Sequence, residues 1–358
     1  MVGKDTMTTK RFILVTGASG FLGSRLVKQL VARGERVKGL VRPGANLEVL
    51  RGLPVDSFQL AYGDVLVDHT VYRALAGCDR LFHIASNFSI WSPKPEDVMA
   101  PAVQGTENVL WAAKRRNIQR IVVTSSSDVL GTSNGPNAID EAHEFNVEDP
   151  ETYYLSKVRA DTVVKEALAI GLPVVRVLPA AMFGPGDWKP TPNGRLLLEY
   201  LRRNPDFRVP VFEGGFNIVD VDDVAMGHVL AMEKGSIGEK YILGGDNLTL
   251  EQLFSTLSDM TGLAAPGNEL GPVALEMIAA FHELCARWTG EAPPFTRRMM
   301  KHRVNKYLWV SSAKAERELG YRHRSFKEAL DRAIRWYLRN GYLSEQQARR
   351  IWLELRTA

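Results

Sequence analysis

Only two cysteines occur in 358 residues, Cys78 and Cys285, far apart and in no paired spacing. That scarcity fits a reducing compartment, excludes a disulfide framework and leaves no thiolate set for a metal. The seven histidines never pair at ligand spacing, so no metal site is expected. Long apolar runs are missing as well. The nearest, GPVALEMIAAFHELCARW at 271–288, is interrupted by Glu276, His282, Glu283 and Arg287, whereas a membrane span needs roughly twenty apolar residues. It reads as an amphipathic helix that covers a substrate pocket or packs on the core, with a membrane-surface role as the alternative. Excess charge of one sign is also absent. The 45 basic and 41 acidic residues are spread along the chain for a net +4, which does not imply nucleic acid. Residues 1–10 are short and polar and lack the apolar stretch of a signal peptide, so they read as a disordered leader, with the fold starting near Arg11. Cytoplasm is the default location. There is no internal repeat and no low-complexity tract.

What is present is a chain with 45% hydrophobic and 24% charged residues, enough for a large domain plus a smaller one. Short β-branched runs alternate with helix-like segments: RFILVT at 11, RVKGLV at 36, SFQLAY at 57, RLFHIA at 80, RIVVTS at 120 and PVVRVL at 173. That alternation predicts an α/β fold, a doubly wound parallel sheet with helices on both faces. The longest crossovers, 96–117 and 151–171, carry apolar residues at helical spacing. Past Phe183 the pattern changes to a Pro/Gly-rich loop and then to mostly helical segments with brief strands such as KYILGG at 240.

In LVTGASGFLGSRL, residues 14–26, a strand ending at Thr16 runs into Gly17, Gly20 and Gly23 at a helix start. Gly17 permits the turn, Gly20 lets a pyrophosphate approach the backbone, and Gly23 lets the helix pack close to the sheet. Ser19, Phe21 and Leu22 belong to the same corner. A tight turn with packing glycines is the plainer alternative, but the corner opens a strand-helix-strand unit, which favours a Rossmann-type dinucleotide site. At the end of the second strand, where a carboxylate would bind the ribose of NAD, the chain has Val41 and then Arg42. NADP(H) is therefore favoured over NAD(H), because a guanidinium can pair a 2'-phosphate, unless Arg42 is an ordinary surface charge. Asp64 and Val65 end the third strand, placed for the adenine, and HIAS at 83–86 brings Ala85 and Ser86 to the end of the fourth. The boundaries expected are 11–187 for the dinucleotide-binding domain, with 219–245 returning to it. Residues 188–218 and 246–345 would form a smaller, mostly helical substrate lobe, and 346–358 a C-terminal helix or tail.

TYYLSK at 152–157 opens the helix after the fifth strand and sets Tyr153 and Lys157 one turn apart on one face. A neighbouring ammonium stabilises a phenolate, so Tyr153 can act as acid or base. The same pair is also common on solvated helix faces. TSSSDVLG at 124–131 ends the preceding strand, and a hydroxyl there can hold a substrate's reacting oxygen, although strand-end serines are also simple turn formers.

Together these residues resemble the extended short-chain dehydrogenase/reductase superfamily, and within it the dihydroflavonol-4-reductase-like and hopanoid-associated epimerase-like members. The resemblance runs through TGASGFLG, LVRPG, PAVQGTENVL, TSSSDVLG, YYLSK, FGPGD, VDVDDVA and SSAKAERELGY, nearly the whole chain. It implies that Ser126 joins Tyr153 and Lys157 in a catalytic triad, with Thr124 beside the cofactor. It also implies that Pro179, Ala181 and Met182 contact the nicotinamide end, and that a homodimer forms through the helices at about 100–117 and 151–169. Ala102 stands where many members carry Asn. From Ser126 the chain reads Ser-Ser-Asp where the similar dehydratases read Thr-Asp-Glu, so dehydration is disfavoured and Asp128 is left as a substrate-side group.

The loops at 87–97 and 186–195 follow strand ends, and Phe88, Trp91, Trp188 and Asn193 are the residues expected to meet the substrate there; each tryptophan reads equally well as a loop anchor. Phe183, Phe216 and Met182 read as core with respect to the substrate, Lys189 and Arg195 as solvated charges, and VDVDD at 219–223 as helix capping. The expected function is an NADP-dependent oxidoreductase of an aldehyde, ketone or secondary alcohol, on a largely apolar, ring-bearing or lipid-like small molecule. The alternatives are a sugar-nucleotide epimerase or dehydratase with tightly bound NAD, and a non-catalytic dinucleotide-binding regulator, which would need only the glycine corner. Membrane contact through RRMMKHRVNK at 297–306 is left open.

Overall fold

The computed structural model describes residues 11–88, 92, 94–202, 212–265, 271–289, 293 and 296–357. Residues 1–10 and Trp91, for which expectations were stated above, lie outside them. The apolar runs form β1 (Phe12–Thr16), β2 (Val37–Val41), β3 (Phe58–Tyr62), β4 (Cys78–His83), β5 (Arg120–Thr124) and β6 (Val174–Pro179). Further on come β7 (Ala181–Phe183), β8 (Gly214–Asp220), β9 (Lys240–Leu243), β10 (Asp246–Thr249) and β11 (Lys306–Leu308). Seven of these make one sheet in the order β3-β2-β1-β4-β5-β6-β9, and every pairing in it is parallel. The order reverses direction between β1 and β4, and at such a switch point the strand carboxyl ends leave a crevice for a ligand.

The first helices are α1 (Phe21–Ala32), α2 (Asp68–Ala74), α3 (Glu96–Ala102), α4 (Gln104–Arg115) and α5 (Thr152–Ala169). After them follow α6 (Pro192–Arg202), α7 (Val221–Lys234), α8 (Leu250–Thr261), α9 (Pro272–Thr289), α10 (Arg297–Arg303), α11 (Ala313–Leu319), α12 (Phe326–Arg339) and α13 (Glu345–Thr357). Successive strand residues point to opposite faces. Ile13, Val15, Phe82, Val122 and Val177 pack with α1 and α7, while Leu14, Leu81, Ile121 and Val123 pack with α2, α4 and α5. Burial on both faces explains why these strands read as continuous apolar runs. The 96–117 stretch is two helices rather than one, broken at Val103 just after Pro101, whose ring nitrogen cannot donate to the helical ladder.

The later segments build a second core from α6, α8, α12 and α13, with Leu197, Phe254, Leu257, Ile334 and Ile351 packed together. They also carry a four-stranded sheet of β7, β8, β10 and β11 that the brief apolar runs had not revealed. The two cores are joined at the β8–α7 junction. Asp220 accepts the Asp222 main-chain N–H at 2.7 Å, the capping expected from VDVDD. The same carboxylates bind basic side chains from elsewhere: Arg25 of α1 pairs with Asp222 at 2.5 and 2.7 Å, and Arg332 of α12 reaches Asp220 at 2.6 Å.

Candidate active site

The glycine corner has the form its spacing predicts. Gly17 sits at φ +67°, a backbone region that only glycine enters without strain, and a Cβ on it would meet the Ala85 backbone at 3.0 Å. A Cβ on Gly23 would lie 2.1 Å from the Gly17 carbonyl oxygen, so α1 starts in direct contact with the turn. No side chain caps that helix start. Its first N–H groups therefore face outward with the positive end of the helix dipole, a donor set suited to a pyrophosphate. Behind the corner, Thr16 Oγ1 accepts from the Ile84 and Ala85 N–H groups at 3.0 and 3.1 Å and meets His83 Nδ1 at 2.9 Å. Burial holds the His83 imidazole neutral, its pKa down at about 3. This residue ties the ends of β1 and β4 together rather than exchanging protons.

From this corner a cleft of about 840 Å³ runs over the carboxyl ends of the strands. Every residue expected to hold the cofactor lines it, from Gly17 and Arg42 to Pro179 and Met182. β2 ends at Val41, and Val41 and Arg42 both line the cleft. Asp64 uses Oδ1 to accept the Leu66 N–H at 2.9 Å, which fixes the turn after β3. The donors, the glycine cradle and the cleft therefore fit a dinucleotide.

At the other end of the cleft stand Ser126, Tyr153 and Lys157. β5 delivers Ser126, which caps a short 3-10 turn, and the first turn of α5 delivers the other two. All three are buried, with 6, 7 and 6% exposure. The Ser126 hydroxyl donates to Asp128 Oδ2 at 2.8 Å, and the Tyr153 phenol stands beside the pair. Phe88 packs on the Tyr153 ring at 4.8 Å between centroids. Lys157 Nζ lies 5.8 Å from the centre of that ring.

The electrostatics correct one expectation. Burial, and then the Asp128 carboxylate, push the Tyr153 phenol well above its usual range, with the polar Ser126 hydroxyl opposing them. The ammonium does not dominate, because Lys157 is itself desolvated and its pKa is held down at about 8. Tyr153 is therefore a neutral, proton-bearing group across the physiological range. Burial also raises the Asp128 carboxyl, with Arg303 and the Ser126 hydrogen bond opposing it.

Arg303 is the group that the sequence had not singled out. It closes α10, lines the cleft, and stands close to Tyr154, Asp128 and Glu151, while its Nε is buried without a hydrogen-bond partner. Its only trace in the sequence is membership of a basic cluster. Three further expectations change. Trp188 does not line the cleft; its ring packs edge-on against Trp336 at 5.1 Å, and its carbonyl accepts from the Tyr342 hydroxyl at 2.6 Å, so it anchors the loop. Phe216 and Lys189, read as core and as solvated charge, both line the cleft, as do the expected Phe88, Asp128 and Asn193. Among the described residues, no group of three or more His, Cys, Asp or Glu is placed to hold a metal ion.

The fold and the site define an NAD(P)-dependent enzyme of the extended short-chain dehydrogenase/reductase class. The chain belongs to the NAD dependent epimerase/dehydratase family, whose model matches residues 13–244. It is 35% identical to a putative dihydroflavonol 4-reductase of Synechocystis over 93% of this chain and 96% of that one. It is 32% identical to sterol demethylase protein B of Methylococcus capsulatus over 92% and 99%. A crystal structure described as gox2253 superposes with a TM-score of 0.81 at 37% identity, covering 93% of this chain and all of the other.

Proposed function

We propose that this protein is an NADPH-dependent reductase of an aldehyde or ketone on a largely apolar, ring-bearing or lipid-like substrate, able to run the matching alcohol oxidation in reverse. The observation that carries the reading is that Ser126 and a proton-bearing Tyr153 meet in one cleft, between a glycine corner with Arg42 and an apolar wall of Phe88, Pro101, Phe216 and Leu308. When bound, the nicotinamide supplies or takes up the hydride at the substrate carbon. Ser126 turns its hydroxyl from Asp128 to the carbonyl oxygen and holds it beside Tyr153. Tyr153 then donates its proton to that oxygen as negative charge develops there. Its raised pKa keeps the proton on the phenol until that charge develops. Lys157 keeps a positive charge next to the phenol while the proton is away. The relative named a dihydroflavonol 4-reductase supports reduction, and the one named sterol demethylase protein B supports an apolar substrate. A homodimer through α4 and α5 belongs to the same reading, supported by Trp111 of α4, a large apolar side chain left 49% exposed.

The test is to purify the protein, record which dinucleotide it retains, and follow nicotinamide absorbance as aldehydes, ketones and sterol-like carbonyls are added. Exchangeable, preferential NADPH binding with oxidation by an apolar carbonyl is the expected result. Protein that arrives with NAD it never releases or turns over in bulk would refute the reductase and favour an epimerase.

A further inference from the structure

Helix α9 is apolar on two opposite sides. Its inner side seats Leu275 and Ala279, both fully buried, against Met300 of α10. Its outer side presents Val273, Met277, Phe281, Leu284 and Trp288, exposed by 73, 70, 64, 54 and 87%. On a helical wheel these five fall within about 80° of the circumference, and they run about 22 Å along the axis. One exposed leucine is ordinary on a protein surface; five large apolar side chains in a continuous ridge mark a surface that meets something. Packing of the fold accounts for the inner side only.

The charges beside the ridge indicate what it meets. Helix α10 exposes Arg297, Arg298 and Lys301 and contains no acid. Two acids lie on one flank of α9: Glu276 is exposed, and Glu283 is neutralised by Arg297, which binds it through its main-chain N–H at 2.7 Å and its Nε at 3.0 Å. Arg298 reaches Asp149 at 3.2 Å, with both side chains more than half exposed, a weak and screened pairing. An apolar ridge with three exposed cations on the neighbouring helix is complementary to an anionic lipid surface, where acyl chains take the ridge and headgroups take the cations. We propose that α9 and α10 are the docking surface of this protein on an anionic bilayer. This is attachment in the plane of the interface: among the described residues no helix is long and apolar enough to cross a membrane. The proposal stands apart from the substrate reading, yet Arg303, the last residue of α10, lines the cleft, so the docked element is also part of the cleft wall.

The experiment is co-sedimentation of the full chain with vesicles of phosphatidylcholine alone and of phosphatidylcholine with phosphatidylglycerol, at low and high salt. The wild type should pellet with the anionic vesicles and less so in salt. M277E/F281E should lose binding by at least roughly tenfold while still binding NADPH, and K301E should weaken it more modestly. If the double variant loses NADPH binding, Trp288→Ser, at the most exposed end of the ridge, carries the test with the same expected direction. A wild type that ignores anionic vesicles, or variants that partition like it, overturns the proposal. So does a double variant whose only change is a smaller mass in sedimentation velocity, which would make the ridge a contact between copies of the chain.

Discussion

Replacing Tyr153 with Phe removes one oxygen atom from the centre of the site and leaves the rest of its wall in place. The ring keeps its packing on Phe88 at 4.8 Å, and the cleft keeps the glycine corner and Lys157. Ser126 keeps its hydrogen bond to Asp128 at 2.8 Å. The stability cost is ~1 kcal/mol or less, because the deleted hydroxyl no longer has to be desolvated. Turnover should behave differently. A proton would then have to come from water, in a site whose hydroxyls are buried. A positioned acid is worth about 10²–10⁴ in rate, or roughly 2.7–5.5 kcal/mol of barrier at about 1.36 kcal/mol per decade. The assay is nicotinamide absorbance under saturating substrate, with a parallel titration of NADPH binding. The acid role predicts a fall of that size in kcat with NADPH affinity within about twofold of the parent. Turnover within about threefold of the parent would refute it, and so would an equal loss of rate and cofactor affinity, which would make Tyr153 a structural residue.

Other perturbations test the remaining parts of the site. Arg42→Glu places a carboxylate where a 2'-phosphate would lie, and the preference for NADPH over NADH should drop by about tenfold or more, read from the two dissociation constants; an unchanged ratio sinks the phosphate assignment. Gly23→Ala drives a methyl to 2.1 Å from the Gly17 carbonyl oxygen, a backbone atom that cannot move without the corner. About 1–3 kcal/mol of stability should be lost together with NADPH binding, as thermal melts with and without the cofactor will show, whereas full retention of both would mean the corner is looser than it looks. The Lys157 ammonium, held down at about 8 by burial, is charged below that pH and lost above it. The free enzyme's kcat/KM should therefore decline as pH rises through about 8, and a profile flat to about pH 10 would exclude a role for that charge.

How much of this could be read in the sequence follows from how local each feature is. Strands β1, β2, β4, β5 and β6 were legible because burial on both faces leaves a run of apolar residues that needs no partner to be recognised, while β3 is a largely exposed edge strand. The glycine corner and the Tyr153–Lys157 pair were legible for a related reason: their geometry is set by spacing within one turn or one helix. Local spacing does not carry burial, and so the sequence led to a phenol lowered by its ammonium when desolvation and Asp128 raise it. It also misjudged Trp188, whose choice between cleft and loop is made by Trp336 and Tyr342, about 150 residues away along the chain. Arg303 is the strongest case. In RRMMKHR its neighbours Arg298 and Lys301 carry the same charge and face solvent, and only the docking of this stretch on the segment before α5, where Thr296 bonds Glu151 and His302 meets the Asp149 carbonyl, turns the last cation inward. Residues that act through tertiary placement alone leave no periodic trace, and in this chain they lie on the substrate side of the cleft. That is why the cofactor end is readable from the sequence while specificity is not. Substitutions at Phe88, Phe216, Leu308 and Arg303 should accordingly change which carbonyl is reduced without changing which dinucleotide is used, and a change in dinucleotide preference from any of the four would contradict that division of the cleft.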